Sequence, residues 1–119
     1  MQKFDEKLYL AEMYQDPYFP DFLVDKVKAS LVEVVKFLEA GERDINKIQK
    51  EFDIMTDKVN ELQNEFWDND SEIETGARDS IAVTVEHILK HFGLVGVNEQ
   101  SFNSKGTALG DELLRNRDW

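Results

Sequence analysis

Residues 45–68 read INKIQKEFDIMTDKVNELQNEFWD, and this stretch decides the fold. Its apolar side chains recur at alternating steps of three and four residues, which is the heptad spacing of a helix with one buried face. Asp44 stands directly before the stretch as a natural N-cap. The pattern predicts one long amphipathic helix, whose buried stripe comprises Ile45, Ile48, Phe52, Met55, Val59, Leu62 and Phe66.

The segment before this stretch predicts a second long helix, which begins after Pro20 and ends at Gly41. Its apolar stripe comprises Phe22/Leu23, Val27, Leu31, Val34/Val35 and Leu38. A shorter helix is expected from Phe4 to Tyr14, with Leu8 and Tyr9 turned inward. Prolines 17 and 20 separate the two helices, because the residue before a proline avoids helical backbone.

The segment after it predicts a third long helix, which begins at Asp70-Ser71 and is closed by Gly93. Ser71 and Glu74 have the spacing of a capping box, with Asp70 or Ser71 as the cap. The stripe of this helix comprises Ala77, Ile81, Val85, Ile88 and Phe92. Residues 93–106 are rich in Gly, Asn and Ser and predict a loop, and residues 107–116 predict a last short helix.

No segment alternates between apolar and polar residues over the length of a strand, and Leu94-Val95-Gly96-Val97 is too short to build a sheet. The fold class is therefore all-α. The expected architecture is an antiparallel helical bundle of three long helices plus one or two short helices, in a single domain that spans residues 1–119.

The composition excludes several classes of protein. The chain carries 14 Lys and Arg against 25 Asp and Glu, a formal net charge of -11, which disfavours a nucleic-acid binder. It has no cysteine, so disulfide scaffolds and cysteine-based zinc or thiol chemistry are excluded. No apolar run reaches the ~20 residues of a membrane span, and the N-terminus has no signal-peptide core, so a cytoplasmic location is expected.

The negative charge concentrates in one segment, residues 61–74, where six carboxylates follow one another without any Lys or Arg. This segment joins two long helices, and Trp67 lies within it. Exposed Trp and Tyr favour interaction surfaces, and an acidic surface attracts basic partners. The candidate binding residues are Tyr18, Trp67, Asp70, Glu72, Glu74, Arg78 and Trp119.

Glu74 lies close to the centre of the stripe on the third helix, so its carboxylate faces the bundle. Arg78, four residues later, is its natural partner, and Asp25 and Lys26 join the network if the helix ends are adjacent. A structural role is favoured over a polar ligand pocket, because ion networks of this kind often set register. Trp119 is expected to be docked on the bundle rather than left in water.

Metal binding has weak support. Asp68, Asp70 and Glu72 resemble the start of a calcium loop, but Ile73 and Asp79 stand where such a loop needs glycine and a bidentate glutamate. His87 and His91 are four residues apart, yet the acidic ligands of a helical metal site are missing from the pattern. These five side chains are the weak metal candidates, and no cofactor is expected.

Catalytic motifs are also missing. The chain has no cysteine nucleophile, no Gly-x-Ser-x-Gly elbow and no Gly-x-x-x-x-Gly-Lys phosphate loop. The residues therefore favour a protein that is not an enzyme.

Several strings along the chain resemble a small bacterial family that is catalogued as a domain of unknown function, DUF5713. They are residues 14–20 (YQDPYFP), 23–28 (LVDKVK), 69–75 (NDSEIET), 77–82 (ARDSIA) and 117–119 (RDW). The resemblance implies a cytoplasmic, all-helical bacterial protein and brings no catalytic residues.

We therefore expect a non-enzymatic binding or interaction protein with a basic protein partner, one version being an inhibitor or immunity protein for a basic toxin. One alternative is a metal-dependent or small-ligand-binding protein or enzyme at the bundle end, which uses either Glu74, Arg78 and His91 or the acids of residues 68–74. Another is a structural homodimer, in which the stripe on residues 45–66 pairs across a twofold axis. The sequence leaves monomer and homodimer open.

Overall fold

The computed structural model describes residues 3–94, together with Leu114 and Trp119. Within these residues the protein is all-α, as predicted. A 3₁₀ helix, Glu6–Leu8, precedes four α-helices. These are α1, Ala11–Gln15; α2, Asp21–Glu39; α3, Ile45–Asp68; and α4, Thr75–His91. The loop predicted after residue 94, the short helix predicted over 107–116 and the Arg117-Asp118 pair lie outside the described residues.

The helix α3 forms as the heptad pattern predicts. The carboxylate of Asp44 accepts a hydrogen bond from the backbone N–H of Asn46 at 2.9 Å, so the predicted N-cap is confirmed. The buried side chains of the stripe are Ile48, Phe52, Met55, Val59 and Phe66. Two positions depart from the prediction, because Ile45 is largely exposed at the helix start and Leu62 is only half-buried.

The helices α2 and α3 are antiparallel neighbours. Gly41 ends α2 with φ 102, a backbone conformation that favours glycine, and a short turn leads to Asp44. Lys26 near the start of α2 contacts Glu65 near the end of α3, so the two helices run antiparallel. The stripe of α3 is therefore buried within the chain against its own core. One of the sequence-based alternatives is a homodimer that pairs this stripe across a twofold axis. The stripe is not available for such pairing, because its side chains already pack within the chain.

The single N-terminal helix predicted from Phe4 to Tyr14 is wrong. Leu10 lies between the 3₁₀ helix and α1 in a left-handed conformation, φ 49 and ψ 38, which breaks the helix there. Its backbone N–H donates to the Thr84 hydroxyl of α4 at 3.0 Å. A tertiary hydrogen bond to α4 thus holds a backbone conformation that a leucine rarely adopts. Tyr9 is buried and Leu8 half-buried, in line with their predicted inward direction.

The helix α4 buries the whole predicted stripe, Ala77, Ile81, Val85, Ile88 and Phe92. It ends in a Schellman turn at Gly93, where the N–H of Leu94 donates to the carbonyl of Leu89 at 2.8 Å. Leu114 and Trp119 join the same core as α4. Within the described residues, no helix has the length and apolar character that crossing a membrane requires.

Candidate functional site

The acidic end of the bundle is built by the turn that closes α3. The N–H of Ser71 donates to the carbonyl of Phe66 at 2.8 Å, and the N–H of Asp70 donates to the carbonyl of Trp67 at 3.2 Å. These two bonds are the pattern of a Schellman motif, with Asp70 at the left-handed position, φ 57. The turn fixes Trp67 on the last turn of α3, directly beside the acidic link to α4.

The link between α1 and α2 packs against this turn. The rings of Tyr18 and Phe19 meet edge to face at 5.1 Å, and Phe19 is buried while Tyr18 is 42% exposed. A Cβ atom on Gly76 would lie 4.0 Å from the Phe19 ring and 2.9 Å from a Glu74 carboxylate oxygen. The start of α4 therefore lies against the Tyr18-Phe19 link, and glycine at 76 leaves the Glu74 carboxylate room to turn inward.

The cap of α4 differs from the prediction. The helix begins at Thr75, and its N-cap is Glu74, whose carboxylate accepts from the N–H of Gly76 at 3.1 Å. Asp70 and Ser71 belong instead to the end of α3. The prediction placed the cap three or four residues early, because both acid-rich strings satisfy the same capping preferences.

The predicted ion network is also wrong in its partners. Arg78 donates to the Thr75 hydroxyl at 3.2 Å, and among the ion pairs of residues 3–94 none joins it to Glu74. Lys26 pairs with Glu65 at 2.6 Å. Asp25 accepts from the Tyr14 hydroxyl at 2.6 Å. Each expected member has a different neighbour, so within the described residues Asp25, Lys26 and Arg78 do not form an ion network around Glu74.

Most of the acidic charge remains on the surface. Of the six carboxylates in residues 61–74, the ion pairs of the described chain engage only that of Glu65. Glu74 is occupied as a cap. The other four are exposed to solvent: Glu61, Asp68, Asp70 and Glu72.

Two aromatic side chains stand among these acids. Trp67 is 55% exposed and is the most exposed large apolar side chain of the described residues. Desolvation of the phenol, and then the charges of Glu72 and Glu74, raise the pKa of Tyr18, while the Ser71 hydroxyl acts in the opposite direction. The Tyr18 hydroxyl therefore lies in the negative electrostatic potential of the link between α3 and α4. We call Tyr18, Trp67, Asp68, Asp70 and Glu72 the acidic-aromatic surface.

Trp119 lies elsewhere. It is 9% exposed and packs within the core, as expected for a docked C-terminal tryptophan. Its burial removes it from the candidate binding residues, because a buried ring offers a partner no contact surface.

The metal candidates do not converge. Among residues 3–94, Leu114 and Trp119, no three His, Asp or Glu side chains lie close enough together to hold a metal ion. His91 packs edge-on against the rings of Phe4 at 5.5 Å and Phe92 at 4.9 Å. His87 lines a separate small cavity of about 160 Å³ between the N-terminal segment and α4.

Two features of the structure carry no signal in the sequence motifs. The first is the Leu10–Thr84 hydrogen bond, which joins residues 74 positions apart. The second is a groove between α2 and α3, whose mouth is bridged by the Lys26–Glu65 ion pair. Helical periodicity alone would have placed the groove residues on one outer face of each helix, but it does not tell which faces meet.

Comparison with known proteins agrees with the strings noted along the chain. No curated protein and no solved structure matches it. One family of unknown function, DUF5713, matches residues 3–119, which is nearly the whole sequence. The chain therefore belongs to the family DUF5713, whose function is unknown.

Proposed function

We propose that this protein is a non-enzymatic interaction module that binds a basic protein through the acidic-aromatic surface. The single observation that carries the proposal is the exposed Trp67, 55% accessible, on a turn whose neighbouring carboxylates have no cationic partner in the described chain. An exposed tryptophan surrounded by charge of one sign has the composition of a binding hot spot with an attractive rim.

The charges support a basic partner rather than an acidic or neutral one. Asp68, Asp70 and Glu72 are exposed, and the whole chain carries a formal charge of -11. Such a surface steers a cationic protein during approach, and Arg or Lys side chains stack on Trp and Tyr rings. The field at Tyr18, where Glu72 and Glu74 raise the pKa, has the sign that an arriving cation requires.

The fold fits a recognition role. The Schellman turn at Asp70 and the Glu74 cap hold the surface between two long helices, so little conformational entropy is lost on binding. The proposal extends to the bacterial cytoplasm as the location, as the family resemblance implies. Its most specific version is an inhibitor of a basic toxin, and a gene for such a toxin beside this one would support that version.

The experiment is capture from a lysate of the source bacterium on the immobilised chain, at about 50 mM salt, with elution at about 500 mM. The retained basic protein is then purified and titrated against two variants, Trp67→Ser and Glu72→Lys. Loss of a hot-spot tryptophan costs about 2 kcal/mol or more, so the first should weaken binding about 30-fold. The second should mainly slow association at low salt.

The matched controls are Ile45→Ser and Glu39→Lys, at the opposite end of the bundle. Ile45 is exposed to nearly the same extent as Trp67, and Glu39→Lys changes the net charge as Glu72→Lys does. Both controls should bind as the wild type binds. Retention of no basic protein, or equal losses in the variants and their controls, would contradict the proposed surface.

A further inference from the structure

A groove of about 430 Å³ runs between α2 and α3. Four residues from each helix line it: Lys26, Ala29, Ser30 and Glu33 from α2, and Lys58, Glu61, Leu62 and Glu65 from α3. Each set has the spacing i, i+3, i+4, i+7, so the groove follows one face of each helix over about 11 Å. None of these residues belongs to the acidic-aromatic surface.

The two walls of the groove repeat one pattern. An apolar residue is followed four positions later by lysine, and seven positions after that by glutamate. The α2 members are Phe22, Lys26 and Glu33, and the α3 members are Ile54, Lys58 and Glu65. The helices are antiparallel and Lys26 meets Glu65 at 2.6 Å, so the same register places Lys58 opposite Glu33. The groove therefore has an approximate local twofold symmetry.

The apolar residue at the start of each pattern is exposed to solvent. Phe22 is 50% exposed and Ile54 is 43% exposed, although both lie on long helices whose other apolar residues are mostly buried. They flank the groove at diagonally opposite ends, about 22 Å apart along the helix direction. Between them the floor is low, since Ala29 is small and Leu62 is half-buried. Side chains of another helix pair have room to enter.

The charges that line the groove indicate which kind of partner fits it. The groove carries charges of both signs, two lysines and three glutamates, unlike the acidic-aromatic surface, whose charged side chains are all negative. A uniformly basic helix would place its cations against Lys26 and Lys58. A surface with the same pattern, turned about a twofold axis, places each of the two lysines, Lys26 and Lys58, against a glutamate, Glu33 or Glu65. A second copy of this chain has that surface.

We propose that the protein forms a homodimer through the α2–α3 groove. The two helix pairs stack face to face as an isologous four-helix arrangement. Ala29 and Leu62 lie at its centre, and Phe22 and Ile54 insert at its ends. The proposal is independent of the basic partner, because the acidic-aromatic surface stays outside this interface.

The size of the face is sufficient. The 19 residues of α2 span about 28 Å, and two adjacent helices are about 20 Å wide, which gives a flat outline near 560 Å². Side-chain relief raises the accessible area of such a face towards the ~800 Å² per partner of a standard stable interface.

The test is sedimentation equilibrium of the full chain from about 5 to 500 µM, in about 0.3 M salt to screen the repulsion between two acidic copies. The mass should rise with concentration from 13.8 kDa to twice that value. Ala29→Lys places like charges on both sides of the symmetry axis and should raise the dimer Kd at least tenfold. Ile54→Ser should raise it several-fold through lost apolar contact.

The matched control is Ala82→Lys on α4. Ala29 and Ala82 are both exposed helical alanines with a glutamate four residues later, at Glu33 and Glu86. Both lysine variants should keep the wild-type Tm, and only Ala29→Lys should weaken the dimer. A wild-type mass of 13.8 kDa at every concentration would overturn the proposal. So would a dimer whose Kd is the same in both lysine variants.

Discussion

Replacement of Thr84 by valine tests how α4 holds the N-terminal segment. The Thr84 hydroxyl accepts from the N–H of Leu10 at 3.0 Å and lies 3.0 Å from the Ser80 carbonyl oxygen and 3.3 Å from that of Leu8. Both Thr84 and Leu10 are buried. Valine has nearly the same shape as threonine, so the substitution removes the hydroxyl without leaving a cavity.

The expected cost follows from the orphaned N–H. A buried donor without a partner costs about 1–3 kcal/mol. Leu10 also holds a left-handed conformation, which costs a leucine about 1–2 kcal/mol and depends on this anchor. Thr84→Val should therefore lower the free energy of unfolding by about 1–3 kcal/mol, which corresponds to roughly 4 °C in Tm for each kcal/mol.

The assay is urea unfolding followed by far-UV circular dichroism, with amide hydrogen exchange at Leu10 as a local readout. Thr84→Ser keeps the hydroxyl and loses one methyl group, so it should cost about 1 kcal/mol or less. Ser30→Ala is a matched control. The buried Ser30 hydroxyl donates to the Val27 carbonyl at 2.6 Å within α2, and its removal leaves no buried donor unsatisfied.

Two results would refute the reasoning. The first is a Thr84→Val protein within about 0.5 kcal/mol of the wild type, with the Leu10 amide still protected from exchange. The second is a Thr84→Ser protein that loses as much stability as Thr84→Val, because the hydroxyl would then be irrelevant.

Three further predictions concern the caps and the tyrosines. Asp70→Gly should stabilise the protein by about 0.5–1 kcal/mol in urea unfolding, because glycine relieves the left-handed backbone at φ 57, whereas Asp70→Val should destabilise it. Asp44→Ala should lower the free energy of unfolding by about 1 kcal/mol through loss of the bond to Asn46, and Asp44→Ser should restore most of it. All three tyrosines have raised pKa values in the folded protein, chiefly through desolvation, and the bond to Asp25 adds to the effect at Tyr14. Since the unfolded tyrosines ionise near pH 10, their contribution to the free energy of unfolding should be fully present below that pH and fall as the pH rises above it. The fall should be smaller in Tyr14→Phe. An absorbance titration that shows a folded tyrosine ionising at its ordinary pKa of about 10 would contradict this prediction.

Local signals predicted the helices well. Asp44, Gly41 and Gly93 each begin or end a helix where the sequence places them, because capping depends on side-chain oxygens or positive φ within a few residues. The α4 stripe is buried in full for a similar reason: period 3.6 depends on local geometry alone. Where two caps compete within a few residues, as at Ser71 and Glu74, the local signal fails.

The candidate site was predicted in part. The sequence of residues 61–74 predicts an acidic segment that contains an aromatic residue. In the structure, Trp67 and four of the six carboxylates are exposed on the surface. Trp119 is buried as expected, but neither the place where it docks nor the pairing of Glu65 with Lys26 has a local signal. Both depend on side chains that are far apart along the chain.

By itself, the sequence determined the helical class, the three long helices apart from the start of α4, and the excess of negative charge, because backbone capping and apolar periodicity act within a few residues. Only the tertiary structure decided where the N-terminal helix breaks and which acids stay exposed. The break depends on the Leu10–Thr84 hydrogen bond, whose residues are 74 positions apart. The carboxylate of Glu65 is neutralised by Lys26, which lies 39 positions away along the chain. Contacts of such separation arise from the packing of whole helices, so no short window of sequence records them.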